Sequence, residues 1–515
     1  MIFSVSKRPT ITEIHSLYAE KKATVSEIVK FFLNRSKEID PALNSVADYS
    51  QDLANSQATA ADELLLEYQQ KHSADFFDKL IVDYPLFGIP YFVKSIIMVE
   101  GLEAHASSKI LKNFKAPYSS TVYERLEKAG AVILGVVFMD EFAAGASGET
   151  SSYGNTKNPF DLTRTPGGSS SGPATIVASG QCVFSLGTDT GGSIRLPASF
   201  TDTVGLKPTY GLLSRYGVIP MASSFDQVGA FTNNVEDNLI ITEVLAGKDE
   251  NDQTSLESGQ LKQDLLTLRQ KLATTRKQKQ LTSTINPLKI GIPEEFFTAG
   301  IDPIITKAID ELKLKLAKIG HEIVPVSLPQ AKHALSVYYI TMPVELAANL
   351  ERFDGVRYAL QNDDVNQELF YNQRQLFGEE ITRRIMLGTY ISSAGYYDAY
   401  YNQAQKVRQL AKQDFDRVFE SVDVLLTPVA AEFAFKLGQK SSDPLSMYLT
   451  DAFTCGINPV RIPGISVPLG FFSVKNDDGS TVDLPTGVQI LAPELCEDKL
   501  FQLSMEVEKL CNQNN

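Results

Sequence analysis

Between Thr165 and Phe200 the chain reads TPGGSSSGPATIVASGQCVFSLGTDTGGSIRLPASF, two glycine/serine clusters separated by a short helical and a strand-like segment. Glycine at this density forces tight, side-chain-poor loops at two places a fixed distance apart, and the rest of the fold must accommodate both. Gly167 and Gly168 permit positive φ and Pro173 suits the first turn of a helix, so Ser169, Ser170 and Ser171 are expected on a tight loop. In the second cluster, Asp189-Thr190-Gly191-Gly192-Ser193, the glycines let successive N–H groups converge on one point, as an oxyanion hole requires. A hydroxyl at Ser193, directly after such a nest, is placed to attack a carbonyl whose oxygen falls among those amides. Asp189 and Arg195 flank it and are expected to brace the loop as an ion pair.

Two other readings compete. A phosphate loop needs GxGxxG or GxxxxGK[ST], and neither cluster has either form. Tight turns with capping serines would explain each cluster taken alone. If Ser193 is a nucleophile it needs a base, usually histidine. His15, His72, His105, His321 and His333 all lie outside the clusters. Lysine can serve when burial keeps it neutral, against a free pKa of about 10.4. Lys94, in the otherwise apolar IPYFVKSIIMV, is the candidate, because a lysine in such a run is costly without a partner.

The surrounding chain supplies an α/β frame. Thr24-Val-Ser-Glu27 has the form of a capping box ahead of a helix, and helices are expected to dominate residues 1–75, packed on the core. From 76 to 247, apolar runs such as AVILGVVF and QCVFSLG alternate with helical TVYERLEKAG, the pattern of an α/β sheet. Residues 248–287 turn polar and read as a surface insertion. From 288 to 515, LKIGIP, DVLLTP, GISVPLGF and TGVQILA are strand candidates, with helices expected near 304–319, 331–352 and 389–421. With 43% hydrophobic residues the 515-residue chain can build a large core.

A net charge of -14 disfavours tight nucleic-acid binding by this chain alone. The run from Arg269 to Lys279 reads either as a local basic patch or as a solvated helix face. Cys182, Cys455, Cys496 and Cys511 are scattered without CxxC spacing, so neither a metal site nor a disulfide framework is expected, and a cytoplasmic setting fits. No signal-peptide-like or membrane-spanning run stands out.

GGSSSG, a spacer and DTGGSIRLPAS resemble the amidase signature family. The resemblance implies one large α/β domain, a mixed central sheet covered by helices on both faces. It implies a catalytic triad of Lys94 as base, Ser169, after a cis peptide, as the bridging serine, and Ser193 as the acyl-ester nucleophile. Thr190, Gly191, Gly192 and Ser193 would line the oxyanion hole, with Ser170, Asp189 and Arg195 in support. MDEFAAGASGETSSYGNTKNPFD, VGLKPTYGLLSRYGVIPMASSFDQVG, RRIMLGTYISSAGYYDAYYNQAQKVR and DPLSMYLTDAFT are similar to the family's glutaminase branch, which serves tRNA-dependent amidotransferases.

That similarity implies glutamine as substrate, with Arg384 on its α-carboxylate, Asp451 on its α-ammonium and Tyr338 contributing a hydroxyl. Read without it, the two charges are a surface ion pair and the tyrosine is core. It further implies a heterotrimer with subunits B and C, misacylated tRNA held mainly by the partner, ATP and Mg2+ used there, and no cofactor or metal in this chain. The chain departs from the family pattern at Ser95, usually Asp, and at SSSGP, where Pro173 ends a segment usually SSGGS. ASFTDTVGLKP stands for ASFCGVVGLKP, and INPVRIPG, with Pro459 and Arg461, for VNLAGLPG.

Overall fold

Among the residues described by the computed structural model (7–72, 75–277, 287–297, 300–354, 358, 373–476 and 478–512), eleven strands join one sheet. They are β1 (Val46–Tyr49), β2 (Pro90–Lys94), β3 (Val132–Val137), β4 (Phe184–Asp189), β5 (Val204–Lys207), β6 (Gln227–Thr232), β7 (Lys289–Pro293), β8 (Glu322–Val326), β9 (Val424–Pro428), β10 (Gly464–Lys475) and β11 (Thr481–Leu491). Their order across the sheet is β1-β3-β2-β4-β6-β5-β10-β11-β9-β7-β8. β2 runs parallel to β3 and β4, and β7 parallel to β8 and β9; the other pairings are antiparallel, so the sheet is mixed.

Strands covered on both faces read as continuous apolar runs. Every residue of β2, β3, β4 and β9 is buried, and each coincides with a run visible in the sequence. The IPYFVKSIIMV run differs from expectation in one respect, since β2 stops at Lys94 and SIIMV turns away. Lys94 therefore stands at the strand's carboxyl edge instead of within it. β1, β5, β6 and β8 escape the sequence reading because they are short or carry polar residues; β8, at the sheet edge, is only partly buried.

The Thr24 capping box is present and opens the helix Val25–Leu43, whose Ile28, Val29, Phe32 and Leu33 enter the main core beside β2 and β3 residues. Arg8 is tied to Asp202 at 2.6 Å, fixing the start of the described chain to the loop after the second Gly/Ser cluster. Within the polar stretch 248–287 lies the helix Gly259–Lys277, and its Leu261 and Leu265 are buried in the main core. Arg269 is 3.0 Å from Glu243, so this part of the basic run is neutralised; Lys279 lies outside the described residues. The helix expected over 389–421 is interrupted. Glu379–Ser392 ends before Gly395 at φ 88, and a short π-helical turn, Tyr397–Asn402, leads into Gln403–Phe419. Glycine at positive φ breaks the helical path there. No helix among the described residues is long and apolar enough to cross a membrane.

Leu265→Ala should lower stability by about 2–5 kcal/mol through lost burial and a residual cavity. Gln270→Ala, on the exposed side of the same helix, should change it by about 0.5 kcal/mol or less. Chemical denaturation of both variants checks this; equal small effects would show that the helix contributes nothing to the core.

Candidate active site

β2 and β4 are parallel neighbours, with Val93 opposite Leu186, so their carboxyl ends emerge side by side. Lys94 closes one strand and Asp189 the other. The first Gly/Ser cluster crosses this edge before the helix Ser171–Ala178, and the second follows β4 into the helix Arg195–Phe200. Two glycine loops are thus set against one lysine by strand register.

Lys94 is fully buried. Its Nζ is 2.8 Å from Ser169 Oγ, 2.9 Å from Ser170 Oγ and 2.9 Å from Thr188 Oγ1. Burial pulls its pKa down to about 7, against the opposing charges of Asp140, Asp189 and Asp226. Proton accounting gives these contacts a direction. Ser170 Oγ donates to the Thr188 carbonyl at 3.0 Å, so towards Lys94 it acts as acceptor and takes one N–H. A second N–H can go to Thr188 Oγ1. The amine lone pair is then left for the Ser169 hydroxyl, whose own oxygen can accept a proton from elsewhere. The peptide bond Gly168–Ser169 is cis.

Gly167 adopts the expected positive φ, 81°. Gly168 does not, and is needed for space, because a Cβ there would fall 2.0 Å from Asp140 Oδ2. Asp140 is a residue that sequence reading missed. Its carboxylate accepts from the N–H groups of Gly148 and Thr150 and from the Thr150 hydroxyl, while its own N–H donates to the Ser169 carbonyl at 3.1 Å.

The second loop is organised by Asp189. Its carboxylate accepts from Gly192 N–H (2.8 Å), Ile194 N–H (3.1 Å) and both Nε (3.0 Å) and Nη2 (2.9 Å) of Arg195. Both side chains are fully buried, and although burial opposes ionisation, Arg195 holds the Asp189 carboxyl well below the usual range. Arg195 also donates to Gln489 and Asn458, each at 2.7 Å, and Asn458 returns a bond to Asp189.

This arrangement revises the expected amide nest. Gly192 N–H is already committed to Asp189, whereas among the described residues nothing accepts from the N–H groups of Thr190, Gly191 or Ser193. Gly192 sits at φ 131, and a Cβ on it would meet Thr454 Oγ1 at 2.1 Å. A Cβ on Gly191 would meet the Tyr338 ring at 2.4 Å. Thr190 donates its hydroxyl to Asp226 at 2.7 Å, and burial raises the Asp226 carboxyl to about 6 against that bond. Ser193 is 7% exposed where Lys94 and Ser169 are 0%, so of the three it alone meets an incoming molecule. Ser170 N–H donates to the Ser193 carbonyl at 3.2 Å, joining the two loops.

Tyr338 belongs to the helix Ala334–Leu350 and Arg384 to Glu379–Ser392. These helices meet at Gly388, where a Cβ would fall 2.0 Å from the Pro343 carbonyl. Arg384 and Asp451 are buried, not a surface pair. Arg384 Nε donates to Glu380 at 2.7 Å, and its guanidinium lies over the rings of Tyr339 and Tyr448. Asp451 accepts from the Tyr339 hydroxyl at 3.0 Å, and burial pushes its carboxyl up to about 7 against that bond and Arg384. Tyr338 is core, as the bland reading had it, but core that forms the wall against Gly191. Glu380 was legible as an i,i+4 partner of Arg384; Tyr339 and Thr188 carried no signal.

A cavity of about 300 Å3 opens beside Arg384, lined by Glu141, Ser147, Thr150, Glu380, Lys440 and Tyr448 among others. Ser193 is not in its wall. Ser147, in that wall, packs against the first Gly/Ser loop, its N lying 2.7 Å from where a Cβ of Gly168 would be. His105 Nδ1 accepts from Ser107 N–H at 2.9 Å, and Lys94 is the basic side chain bonded to Ser169 and Ser170.

Asp189→Asn would leave Arg195 as a buried charge without its counter-ion, a loss of about 3–5 kcal/mol. A large fall in melting temperature and soluble yield is expected by calorimetry; a wild-type melting curve would sink the bracing role.

A family model described as Amidase matches residues 27–501. The chain is 42% identical over 502 residues to the A subunit of the glutamyl-tRNA(Gln) amidotransferase of Microcystis aeruginosa, covering 97% of each. Its counterpart in Koribacter versatilis is 43% identical over 503 residues, covering 97% of this chain and 98% of that one. The crystal structure of the same amidotransferase component from Thermotoga maritima superposes with a TM-score of 0.74 at 31% identity, covering 98% of this chain and 94% of that chain.

Proposed function

The chain belongs to the amidase family, and from that premise we propose that it is the glutaminase subunit of a tRNA-dependent amidotransferase. The observation that carries the chemistry is a buried lysine whose close side-chain partners among the described residues are all hydroxyls, beside a loop with uncommitted amides. In this reading Ser193 gives its proton to Ser169 as Ser169 gives its own to neutral Lys94, and Ser193 Oγ attacks the side-chain carbonyl of glutamine. The oxyanion falls to the N–H groups of Thr190, Gly191 and Ser193. Lys94 returns the proton, through Ser169, to the departing ammonia; water then releases glutamate by the same relay.

Arg384 offers a fork to the α-carboxylate and Asp451 a carboxylate to the α-ammonium, with Tyr338 at the boundary between pocket and nest. Partner subunits B and C complete a cytoplasmic heterotrimer, in which a partner holds the misacylated Glu-tRNA(Gln), and Asp-tRNA(Asn) where that is used. That partner activates the misacylated tRNA with ATP and Mg2+ and receives the ammonia. The relatives named above carry the designation of an amidotransferase component, which supports this assembly.

Ammonia release from glutamine, measured with the chain alone and with subunits B and C, is the deciding experiment. Ser193→Ala and Ser169→Ala should each lower kcat about 10^3-fold or more. Turnover of simple amides, without partners and with glutamine refused, would replace this reading by a stand-alone amidase.

The ionisations give a separate check. Lys94 must be neutral to act and Asp451 charged to bind the ammonium, so both conditions are met as pH rises through about 7. Log kcat/KM should climb with a slope approaching about two on the acid side. Asp451→Asn should reduce that slope to about one and raise KM; an unchanged slope would remove Asp451 from substrate binding.

A further inference from the structure

Arg461 adopts φ 68, a left-handed backbone that favours glycine, at the position where the VNLAGLPG pattern has glycine. Strain kept at one residue is a reason to ask what its side chain does. The side chain is exposed, with its guanidinium 5.0 Å from the centroid of the buried Tyr210 ring. Arg215 lies 5.1 Å from the same ring.

Arg408 approaches from the helix Gln403–Phe419. Its Nε donates to the Pro459 carbonyl at 2.8 Å, its Nη1 reaches Ser224 Oγ at 3.4 Å, and its guanidinium lies 4.7 Å from the Phe225 ring. Burial, and then the charge of Arg461, pull the Arg408 pKa down, so the two cations repel one another. Arg215 has Asp252 at 3.8 Å, but among the described residues neither Arg408 nor Arg461 has a carboxylate at ion-pair distance. Glu345 acts on Arg408 from farther off and is itself held by Ser224, through its N–H at 2.8 Å and its hydroxyl.

Two guanidiniums with no carboxylate at ion-pair distance among the described residues, and Glu345 opposing them only from beyond Ser224, form a local positive centre in a chain of net charge -14. The Phe225 and Tyr210 rings hold the two guanidiniums at 4.7 and 5.0 Å, and a guanidinium has N–H groups to spare for phosphate oxygens. We propose that Arg408 and Arg461, with Arg215 behind Tyr210, form a phosphate-binding site. The phosphate is either a free anion or a phosphodiester of RNA. The site stands whether or not the chain is a glutaminase.

Calorimetric titration of the full chain with inorganic phosphate tests it. Wild type should bind, and Arg408→Gln and Arg461→Gly should each weaken binding about tenfold or more. Arg461→Gly should keep the wild-type melting temperature, because glycine suits the backbone there; a merely structural arginine would give a lower melting temperature and unchanged phosphate binding. Competition with an unmodified tRNA transcript separates the sources. Displacement of phosphate by tRNA, lost in Arg461→Gly, assigns the site to RNA, and phosphate binding untouched by tRNA assigns it to the free anion. No binding by wild type, or equal binding by the variants, overturns the site.

Discussion

The buried pair between Asp189 and Arg195 is the constraint on which the remaining geometry depends. A buried ion pair is a poor source of net stability, because desolvation consumes most of its attraction. Its effect is to leave one arrangement in which both charges are satisfied. Asp189 fixes the path of the Gly191–Ser193 loop by taking the Gly192 and Ile194 amides. Arg195 takes Gln489 from β11 and Asn458 from the segment after Asp451. One pair therefore ties the Gly191–Ser193 loop to the far half of the sheet and to the segment after Asp451. Shifting any of these elements would strand a charge.

The same loop shows how neutrality can be chosen by partners. Lys94 and Lys207 are both fully buried, and burial draws both to about 7. Lys207 is surrounded by the carbonyls of Pro208 and Ile462 and the amide oxygen of Gln227, three groups that only accept. Three acceptors need three donors, which only the ammonium has. Lys94 faces hydroxyls, which accept or donate, so its neutral form loses nothing. A buried lysine becomes a base when its neighbours can give hydrogen bonds back, and burial alone does not decide the matter.

The sequence disclosed these relations unequally. Runs such as VILGVV and VLLTP were readable because strands buried on both faces leave an unbroken apolar record, while VADY and EIVPV left none. The Gly/Ser clusters announced two loops, but only the family resemblance joined Ser169 and Ser193 in one site. That Lys94 meets Ser169 depends on the parallel register of β2 and β4, which periodicity cannot express. Asp140 and Asp226 were invisible for a related reason: each satisfies loop amides contributed by its own neighbourhood, a role any turn aspartate could have. The commitment of Gly192 N–H to Asp189 reversed a local inference that treated all the nest amides as equivalent.

The charge balance of Arg384 and Asp451 follows from these placements. Arg384 is already balanced by Glu380, and Asp451, buried and bonded to Tyr339, prefers its proton until near pH 7. On the proposed reading, a zwitterionic amino acid brings one charge for each wall and adds none overall. Its ammonium favours the ionised form of Asp451 as its carboxylate meets Arg384. A simple amide or a monoacid brings no ammonium, so Asp451 keeps its proton and Arg384 keeps Glu380 as its counter-ion. Discrimination would then arise from the counter-charge that a substrate ammonium supplies to Asp451, and it would act before the amide reaches Ser193.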